Sequence, residues 1–328
     1  MMCTWHPATR GGILEALVTG GAGFIGSHLC AALLERGYSV TCVDNLSTGA
    51  RRNIASLLDQ PGFSFLDHDV VQPLDRPADV IFHLASPASV PDYLARPLAT
   101  LHANSSGTLN MLELARRYRA RFLFTSTSEI YGDPMVHPQP EIYWGNVNPN
   151  GPRSCYDEGK RFGEALTFAY HREYDLDVRL VRIFNTYGPH SRPDDGRIVP
   201  NFVTQALAGR PITIYGDGSQ TRSYCYVSDM VDGLMGAIFQ PGTAGEVFNL
   251  GNPDEYTVEE FARRIAALVG SDAGFTHMPL PVDDPTRRCP DITRARDVLG
   301  WQPKVDLVTG IQRTIEWFRD LLAVGVEG

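Results

Sequence analysis

Tyr156 and Lys160 have the residue types and the spacing that suggest acid–base chemistry. Residues four positions apart on a helix lie on the same face, one turn from each other. A phenol has an unperturbed pKa of about 10 and is a weak base at pH 7, but a nearby ammonium favours its phenolate. Lowering the pKa by about three units needs roughly 4 kcal/mol, which two close cations in a partly desolvated cleft can supply. We therefore predict that Tyr156 is a base, provided that a cofactor site precedes it in the chain.

A glycine-rich segment near the start of the chain predicts that cofactor site. An apolar strand at residues 14–19 leads into a glycine-rich turn, and a helical pattern follows that ends at Gly37. Glycines let backbone amides approach a pyrophosphate at a helix N-terminus, where the helix dipole favours negative charge. A strand, a turn and a helix in this order predict a dinucleotide-binding site. The turn contributes Gly20, Gly23, Phe24, Ile25 and Gly26.

Asp44 indicates which dinucleotide is bound. It follows a second predicted strand, residues 39–43, close to the roughly twenty-residue spacing expected of a ribose-binding acid. A carboxylate that accepts the ribose hydroxyls repels the extra phosphate of NADP, so we predict NAD as the cofactor. The other expected cofactor contacts are Asn45, Asp69, Val70, Leu84, Ala85 and Asn104.

Alternating strands and helices predict the fold class. Further strands are expected at residues 63–66, 80–84, 121–126, 178–184 and 247–250, with helices at 97–119 and 156–174. This alternation, without internal repeats, indicates an α/β protein with a Rossmann-type doubly wound parallel sheet. His83, near the end of one strand, is predicted to be a core histidine rather than a catalyst.

The composition changes after Asn185 and predicts a smaller, discontinuous α/β substrate lobe. Turn-rich segments alternate there with short helices, and arginines occur in the loops. The expected elements are strands at residues 212–215 and 223–227 and amphipathic helices at 258–269 and 309–322. We therefore expect a flexible lead-in at residues 1–13, an NAD-binding domain at 14–185 plus about 228–250, and the substrate lobe at 186–227 and 251–328.

The bulk composition argues against several classes of function. The chain has 328 residues and a formal net charge of −9 at pH 7, which disfavours nucleic acid and anionic membrane surfaces as partners. No apolar run approaches the eighteen or so residues of a membrane span, and the first residues lack the apolar core of a signal peptide. The six cysteines are scattered singly, without the spacing of a zinc site or a disulfide framework. We expect a cytoplasmic protein that holds no metal.

Taken together, these features resemble the extended short-chain dehydrogenase/reductase family of nucleotide-sugar enzymes, from about residue 14 to the C-terminal helix. Within that family the motifs are similar to those of the UDP-glucuronate decarboxylases, also called UDP-xylose synthases. The matching segments are residues 83–89 (HLASPAS), 126–134 (STSEIYGDP), 151–161 (GPRSCYDEGKR), 182–189 (RIFNTYGP), 220–222 (QTR) and 283–292 (DDPTRRCPDI). The resemblance implies NAD as cofactor and UDP-glucuronate as substrate, with a dTDP-linked sugar as the alternative.

The resemblance also implies a reaction. Tyr156 would remove the 4-hydroxyl proton while NAD takes the hydride from carbon 4, with Thr127 bonded to the same oxygen and Lys160 holding the phenolate and the nicotinamide ribose. The resulting β-keto acid would lose carbon dioxide, and return of the hydride would give UDP-xylose. Thr127 and Tyr156 would stabilise the intervening enolate.

Ser128 and Glu129 narrow the expected chemistry. Related 4,6-dehydratases carry Asp-Glu at these positions, and related 4-epimerases usually lack the glutamate. Ser128 with Glu129 therefore fits an enzyme that neither expels water nor only inverts carbon 4. The resemblance assigns Glu129 to the sugar ring and its proton near carbon 5, and Arg288 to the substrate carboxylate, which a guanidinium fork suits. Arg287 is the alternative for that last role.

The remaining substrate contacts also follow from the resemblance. Asn185, Asn201 and Arg222 match positions that hold the nucleotide diphosphate and the sugar. The other expected contacts are Pro87, Tyr93, Val199 and Tyr215. The family pattern further implies a homodimer in which the helices at residues 97–119 and 156–174 pair across a two-fold axis.

Two segments depart from the family pattern and bear on the substrate. Val90 stands where a second proline is common, and the nearby Asp92 adds a negative charge close to the expected position of an acidic sugar. His190 and Ser191 replace the common Arg-Met pair, with Arg192 shifted onward.

Three other functions are compatible with the sequence. One is an oxidative decarboxylase that releases the UDP-4-keto-pentose and NADH, and another is an NAD-dependent nucleotide-sugar 4-epimerase or dehydratase. The third is a non-catalytic NAD-sensing module, against which the intact Thr127, Tyr156 and Lys160 argue.

Overall fold

The computed structural model describes residues 13–323, so the predicted lead-in lies almost entirely outside the described residues. The strands are β1 (Glu15–Thr19), β2 (Ser39–Asp44), β3 (Phe63–Asp67), β4 (Val80–His83), β5 (Arg121–Thr127), β6 (Val178–Ile183), β7 (Thr186–Tyr187), β8 (Ile212–Tyr215), β9 (Thr221–Ser223), β10 (Cys225–Tyr226), β11 (Glu246–Leu250), β12 (Glu255–Thr257), β13 (Phe275–Met278) and β14 (Arg287–Arg288). The α-helices are α1 (Phe24–Glu35), α2 (Val90–Ala95), α3 (Pro97–His102), α4 (Thr108–Tyr118), α5 (Ser154–Tyr174), α6 (Ile198–Leu207), α7 (Val227–Phe239), α8 (Val258–Val269), α9 (Thr293–Leu299) and α10 (Leu307–Ala323).

Seven strands form one parallel sheet, in the order β11-β6-β5-β4-β1-β2-β3. β1 and β4 are neighbours at the centre of the sheet. β2 and β3 extend it on the β1 side, and β5, β6 and β11 extend it on the β4 side. In such a sheet the loops after β1 and β4 diverge and leave a crevice at the carboxyl edge, where ligands bind. The predicted doubly wound α/β fold is confirmed.

The side chains of the central strands alternate between two apolar layers, as the period of two in a strand requires. Val18 and Phe82 belong to a cluster with α1 and α7, whereas Leu17, Ile81 and Phe124 belong to a cluster with α4 and α5. Because both faces are covered, the strands are apolar almost throughout, which is typical of parallel sheets.

His83 is a core histidine, as predicted. It is fully buried at the end of β4, with Nδ1 2.7 Å from Thr19 Oγ1 and Nε2 3.2 Å from Thr108 Oγ1. Burial, with a smaller effect of Lys160, lowers its pKa to about 3, so the ring is neutral near pH 7. The histidine therefore ties β1 and β4 to α4 beneath the crevice.

The predicted helix at residues 97–119 is interrupted by a turn of π-helix at Ala103–Gly107, between α3 and α4. Asn104 lies in that turn, where it donates to Thr100 O (2.9 Å) and Ser86 Oγ (3.0 Å). Turns of this kind are frequent at functional sites because the extra residue redirects a side chain. Here the turn directs Asn104 toward the segment after β4.

The single strand predicted at residues 223–227 is divided into two short strands. These are β9, which pairs with β12 and β14, and β10, which pairs with β7. Tyr224 lies between them, and its ring stacks on Phe261 with centroids 3.9 Å apart. Val227 already begins α7, and the sequence reading also missed α6, α7 and α9.

The short strands bring two arginines together. β9 and β14 run parallel, and their register places Arg222 beside Arg288. β11 pairs with β6 at the edge of the main sheet, as expected for residues 247–250. The division of the chain into two lobes stays a prediction. Among residues 13–323, no helix combines the length and the apolar character needed to cross a membrane.

Candidate active site

A cleft with a cavity volume of about 490 Å³ lies where the carboxyl edge of the main sheet meets the short strands. Its walls include every predicted catalytic and substrate-binding residue and, with one exception, every predicted cofactor-binding residue. The exception is Asn104, whose neighbour Ala103 lines the cleft in its place. The structure therefore brings residues from almost the whole chain to one site, while their individual roles stay predictions.

The glycine turn forms a cradle that side chains would fill. Gly20 has a φ of +69°, and a Cβ there would lie 2.9 Å from the backbone nitrogen of Ala85. A Cβ on Gly26 would lie 2.1 Å from the carbonyl oxygen of Gly20. Helix α1 begins just after Gly23 without a side-chain cap, so its first N–H groups are available to an anion. This geometry fits the pyrophosphate of a dinucleotide.

Asp44 is buried at the end of β2, beside the glycine turn. Its carboxylate accepts hydrogen bonds from the backbone nitrogens of Ala22 (3.0 Å) and Leu46 (2.8 Å). Burial raises its pKa, and these hydrogen bonds oppose the rise. Asn104 Oδ1 is buried and has no hydrogen-bond partner within the described chain, but the residue does not line the cleft. The carboxylate at the strand end suits a polar ligand such as NAD.

Lys160 lines the cleft and is held in place by strand β5 of the main sheet. Its Nζ donates to the backbone oxygen of Thr125 at 2.8 Å and lies 4.9 Å from the ring centroid of Phe124. Burial lowers its pKa to about 7, so the ammonium is only partly populated at neutral pH. The lysine is therefore a positioned but weakly charged group.

The pKa of the Tyr156 phenol is shifted in the direction opposite to the one expected for the complex with NAD. Burial raises the pKa of its phenol, whereas the sequence reading expected Lys160 to lower it. The groups of this chain that oppose the rise are the Thr127 hydroxyl, by a hydrogen bond, and the Arg197 charge. Lys160 contributes little because its charge is weakened by burial and its Nζ is 5.9 Å from the Tyr156 ring centroid.

Tyr93 fixes the plane of the Tyr156 ring. The two rings stack with centroids 5.2 Å apart and an interplanar angle of 4°. Tyr93 comes from α2 and is almost fully buried. The base candidate is therefore held by packing on one side and by its own helix on the other.

Glu129 is the centre of a buried ion network. Arg288 binds its carboxylate with both terminal nitrogens, at 2.6 and 3.0 Å, and Arg153 binds it at 2.7 Å. Asp284 joins Arg153 (3.2 Å) to Arg222 (2.8 Å). Burial alone would raise the pKa of Glu129, but Arg288 and Arg153 outweigh it and hold the pKa at about 2. Three guanidinium and two carboxylate groups leave the network with one positive charge.

Two further results concern the arginines. Arg287 is exposed, and of the two candidates only Arg288 lines the cleft. Arg153 was missed as a functional residue by the sequence reading, although it lies one turn before Tyr156. Asp284, which joins two of the arginines, was missed as well. Both residues lie in segments that match the family motifs, but their partners are 24, 62 and 131 positions away, so no local period pairs them.

The charge of Asp92 is neutralised by its surroundings. Its carboxylate pairs with Arg192 and with Arg96, both at 3.2 Å, and accepts from Ser89 Oγ at 2.6 Å. The residue therefore adds no free negative charge to the cleft. The negative charge of Asp92 is therefore no obstacle to binding an acidic sugar in the cleft.

His190 stacks on His28 with ring centroids 4.5 Å apart, and its Nδ1 lies 2.9 Å from Ser27 Oγ. Burial, and then His28, lowers its pKa to about 4. The family arginine is thus replaced here by a neutral ring that packs against α1.

Comparison with known proteins gives a consistent assignment. The family model for the NAD dependent epimerase/dehydratase family matches residues 16–251. UDP-glucuronic acid decarboxylase 1 of Xenopus tropicalis is 52% identical over 92% of this chain and 72% of its own length. UDP-glucuronic acid decarboxylase 5 of Arabidopsis thaliana is 50% identical over 95% of this chain and 91% of its own length.

A solved structure extends the comparison to bound ligands. The UDP-glucuronic acid 4-epimerase of Bacillus cereus, in complex with UDP-glucuronic acid and NAD, superposes with a TM-score of 0.85. It is 29% identical, and the match covers 94% of this chain and all of that one.

The glycine cradle generates a prediction about cofactor binding. Gly26→Ala should weaken NAD binding by at least about tenfold, equivalent to about 1.4 kcal/mol, because the new methyl group collides with the Gly20 carbonyl. Isothermal titration calorimetry of both proteins measures the change. Gly236→Ala is the control, since that glycine also lies in a helix, α7, but its added Cβ would have its nearest neighbour, Leu299 Cβ, 4.0 Å away. An unchanged NAD affinity in Gly26→Ala would contradict the assignment of the cradle.

Proposed function

The chain belongs to the NAD dependent epimerase/dehydratase family, and within it we propose that the protein converts UDP-glucuronate to UDP-xylose and carbon dioxide. Identities of 50–52% to UDP-glucuronic acid decarboxylases over more than nine tenths of the chain support this substrate. The observation that carries the proposal is the positive Glu129–Arg288 network in the same cleft as Tyr156. An acidic group next to the reacting sugar carbon needs such a partner.

The first step is proton removal by Tyr156 from the sugar 4-hydroxyl. Thr127 bonds the same oxygen, and Lys160, fixed to the Thr125 carbonyl, holds the phenolate and the nicotinamide ribose. When bound, NAD would accept the hydride from carbon 4, and its positive charge would lower the pKa of Tyr156. Tyr156 needs that help, because burial raises its pKa among the residues of this chain.

The second step is loss of the carboxylate from the 4-keto sugar. The electron pair of the breaking carbon–carbon bond moves into the ketone, and Thr127 and Tyr156 stabilise the enolate oxygen. Protonation at carbon 5 then restores a ketone, and return of the hydride and of the Tyr156 proton gives the pentose. Ser128 is a poor proton donor, so expulsion of a hydroxyl group does not compete.

The proposed role of Glu129, protonation of carbon 5, depends on its contact with Arg288. With both arginines in place its pKa is about 2 and it carries no proton near pH 7. A substrate carboxylate that takes Arg288 as its partner removes one of these two cations. Burial then raises the pKa of Glu129 toward a value at which it can hold the proton needed at carbon 5.

The rest of the cleft is proposed to hold the nucleotide diphosphate. Arg222 is buried and lies beside Arg288, which gives the diphosphate a positive wall. Asn185 and Asn201 supply amides, and the other proposed contacts are Pro87, Tyr93, Val199 and Tyr215. Uridine is favoured by the names of the decarboxylase relatives.

The setting proposed for the protein is the cytoplasm. Five of the six cysteines, Cys30, Cys42, Cys155, Cys225 and Cys289, are free thiols within the described residues. Unpaired cysteines are typical of a reducing compartment. With a net charge of −9, nucleic acid and anionic membranes are not proposed as partners.

The closed hydride cycle is tested by its products. Purified protein given UDP-glucuronate and NAD should release labelled carbon dioxide from a carboxyl-labelled substrate and form a UDP-pentose, measured by mass spectrometry, without net NADH absorbance. Tyr156→Phe should lower kcat by about 10²–10⁴ while NAD still binds. Tyr174→Phe, at the exposed end of the same helix, is the matched control and should turn over normally.

Each other outcome of that experiment identifies a different function. Stoichiometric NADH together with carbon dioxide indicates the oxidative decarboxylase, and a C4-epimeric acid without carbon dioxide indicates a 4-epimerase. NAD binding without conversion of either a uridine-linked or a thymidine-linked acid indicates the sensing module.

Arg288 should distinguish acidic from neutral sugars. Arg288→Ala should weaken binding of UDP-glucuronate by about tenfold to a hundredfold, the range for a hydrogen bond to a charged group, and leave UDP-glucose nearly unaffected. Binding isotherms for both ligands measure the difference. Arg287→Ala is the control, because that side chain is exposed. Equal losses for the two sugars would place the carboxylate elsewhere.

The quaternary structure proposed here is a homodimer formed by α3, α4 and α5. These neighbouring helices expose Leu98, Leu109 and Phe162, and isologous pairing would cover those side chains. Sedimentation should therefore give twice the mass of the chain, and Phe162→Glu should shift the distribution to monomer. Leu280→Glu changes an exposed leucine outside these helices and should leave the dimer intact. A monomeric wild type would exclude the proposal.

A further inference from the structure

His137, Glu255 and Cys289 lie together outside the active-site cleft, although they are far apart in the sequence. One ligand-type atom from each residue lies within 4.8 Å of the other two, and His137 Nε2 is 3.0 Å from Glu255 Oε2. Imidazole, carboxylate and thiolate are the three side-chain donors that zinc sites use. We propose that this cluster is a binding site for a zinc-like divalent cation.

The separations suit such an ion. Metal–ligand distances of about 2.0–2.3 Å in a tetrahedral arrangement place neighbouring donor atoms roughly 3.3–3.8 Å apart. The pair at 3.0 Å must open slightly, and the widest pair, which is no more than 4.8 Å apart, must close by up to about 1 Å. Side-chain rotations produce movements of that size.

The accessibility of the cluster also suits an ion. The side chains of His137 and Glu255 are about one quarter exposed, which leaves an entry path from solvent, while Cys289 is buried. Cys289 Sγ donates to the carbonyl oxygen of Pro253 at 3.3 Å, so this oxygen is near enough to serve as a fourth donor. A water molecule is the other choice for the fourth position.

The charges around the thiol attract a cation. The carboxylates of Glu255, Asp254 and Asp291 lie near the thiol of Cys289. Their negative charges favour a divalent ion, and coordination of the thiolate releases the thiol proton to solvent.

The position of the site suggests a structural role. Cys289 follows Arg288 directly, and its backbone N–H and carbonyl both bond to Gln139, at 2.9 Å each. Glu255 lies on β12, which shares a small sheet with β14. An ion at this point would join the loop containing His137 to the strand that delivers Arg288 to Glu129.

Cobalt provides a direct test with a spectroscopic readout. Chelator-treated protein titrated with Co²⁺ should bind one ion and develop thiolate charge-transfer and tetrahedral d–d absorption, which Zn²⁺ should abolish by displacement. The zinc-loaded protein should also have a higher Tm than the chelator-treated protein. Cys289→Ser should lose the charge-transfer band, since serine can keep the hydrogen bond to Pro253 but is a poor ligand.

Two variants keep the test decisive. His137→Gln should weaken cobalt binding by at least about tenfold, a loss that even second-shell changes cause. Cys3→Ser removes a thiol outside the described residues and should leave the spectrum unchanged. Absence of thiolate bands in the wild type, or the same bands in Cys289→Ser, would overturn the site. The cluster would then be an ion pair beside a hydrogen-bonded thiol.

Discussion

The buried contact between Glu129 and its two arginines is the interaction on which the rest of the site depends. An isolated carboxylate at this depth would be strongly disfavoured, so it is stable only while Arg153 and Arg288 remain beside it. Removing one partner of such a pair typically costs about 3–5 kcal/mol because the other charge is left buried. The network therefore contributes to the stability of the folded chain as well as to the charge of the cleft.

The three residues of this contact come from separate parts of the chain. Glu129 follows β5, Arg153 immediately precedes α5, and Arg288 ends β14. The main sheet, the helix with Tyr156 and the short sheet are thus joined at one carboxylate. Because Tyr156 lies in the first turn of α5, the contacts of Glu129 with Arg153 and Arg288 link the position of Tyr156, the proposed base, to that of Arg288, the proposed partner of the substrate carboxylate.

The sequence predicted the features that depend on local order. The glycine turn, Asp44 at a strand end and the Tyr156–Lys160 pair are readable because strands, turns and helices have fixed periods. Side-chain contacts between distant segments could not be predicted from the sequence. Arg153 binds Asp284 across 131 positions, and His137 meets Cys289 across a similar distance, with no period to reveal either. The lowered pKa of Lys160 was not readable either, because it results from burial, and burial is a property of the folded chain.

The distribution of charge in the cleft explains how a chain with net charge −9 can bind an acidic sugar nucleotide. Arg192 is matched by Asp92 and Asp194, and Arg197 is held by Asp195, so these loop arginines contribute little net field. His190 is neutral because burial lowers its pKa to about 4. In the network around Glu129, by contrast, three guanidinium groups face two carboxylates. The excess positive charge therefore lies in the same cleft as Tyr156, so an anionic group bound to it would, in the proposed reaction, be adjacent to the oxidised carbon. Such a placement would favour loss of the acid group over reactions at a neutral sugar.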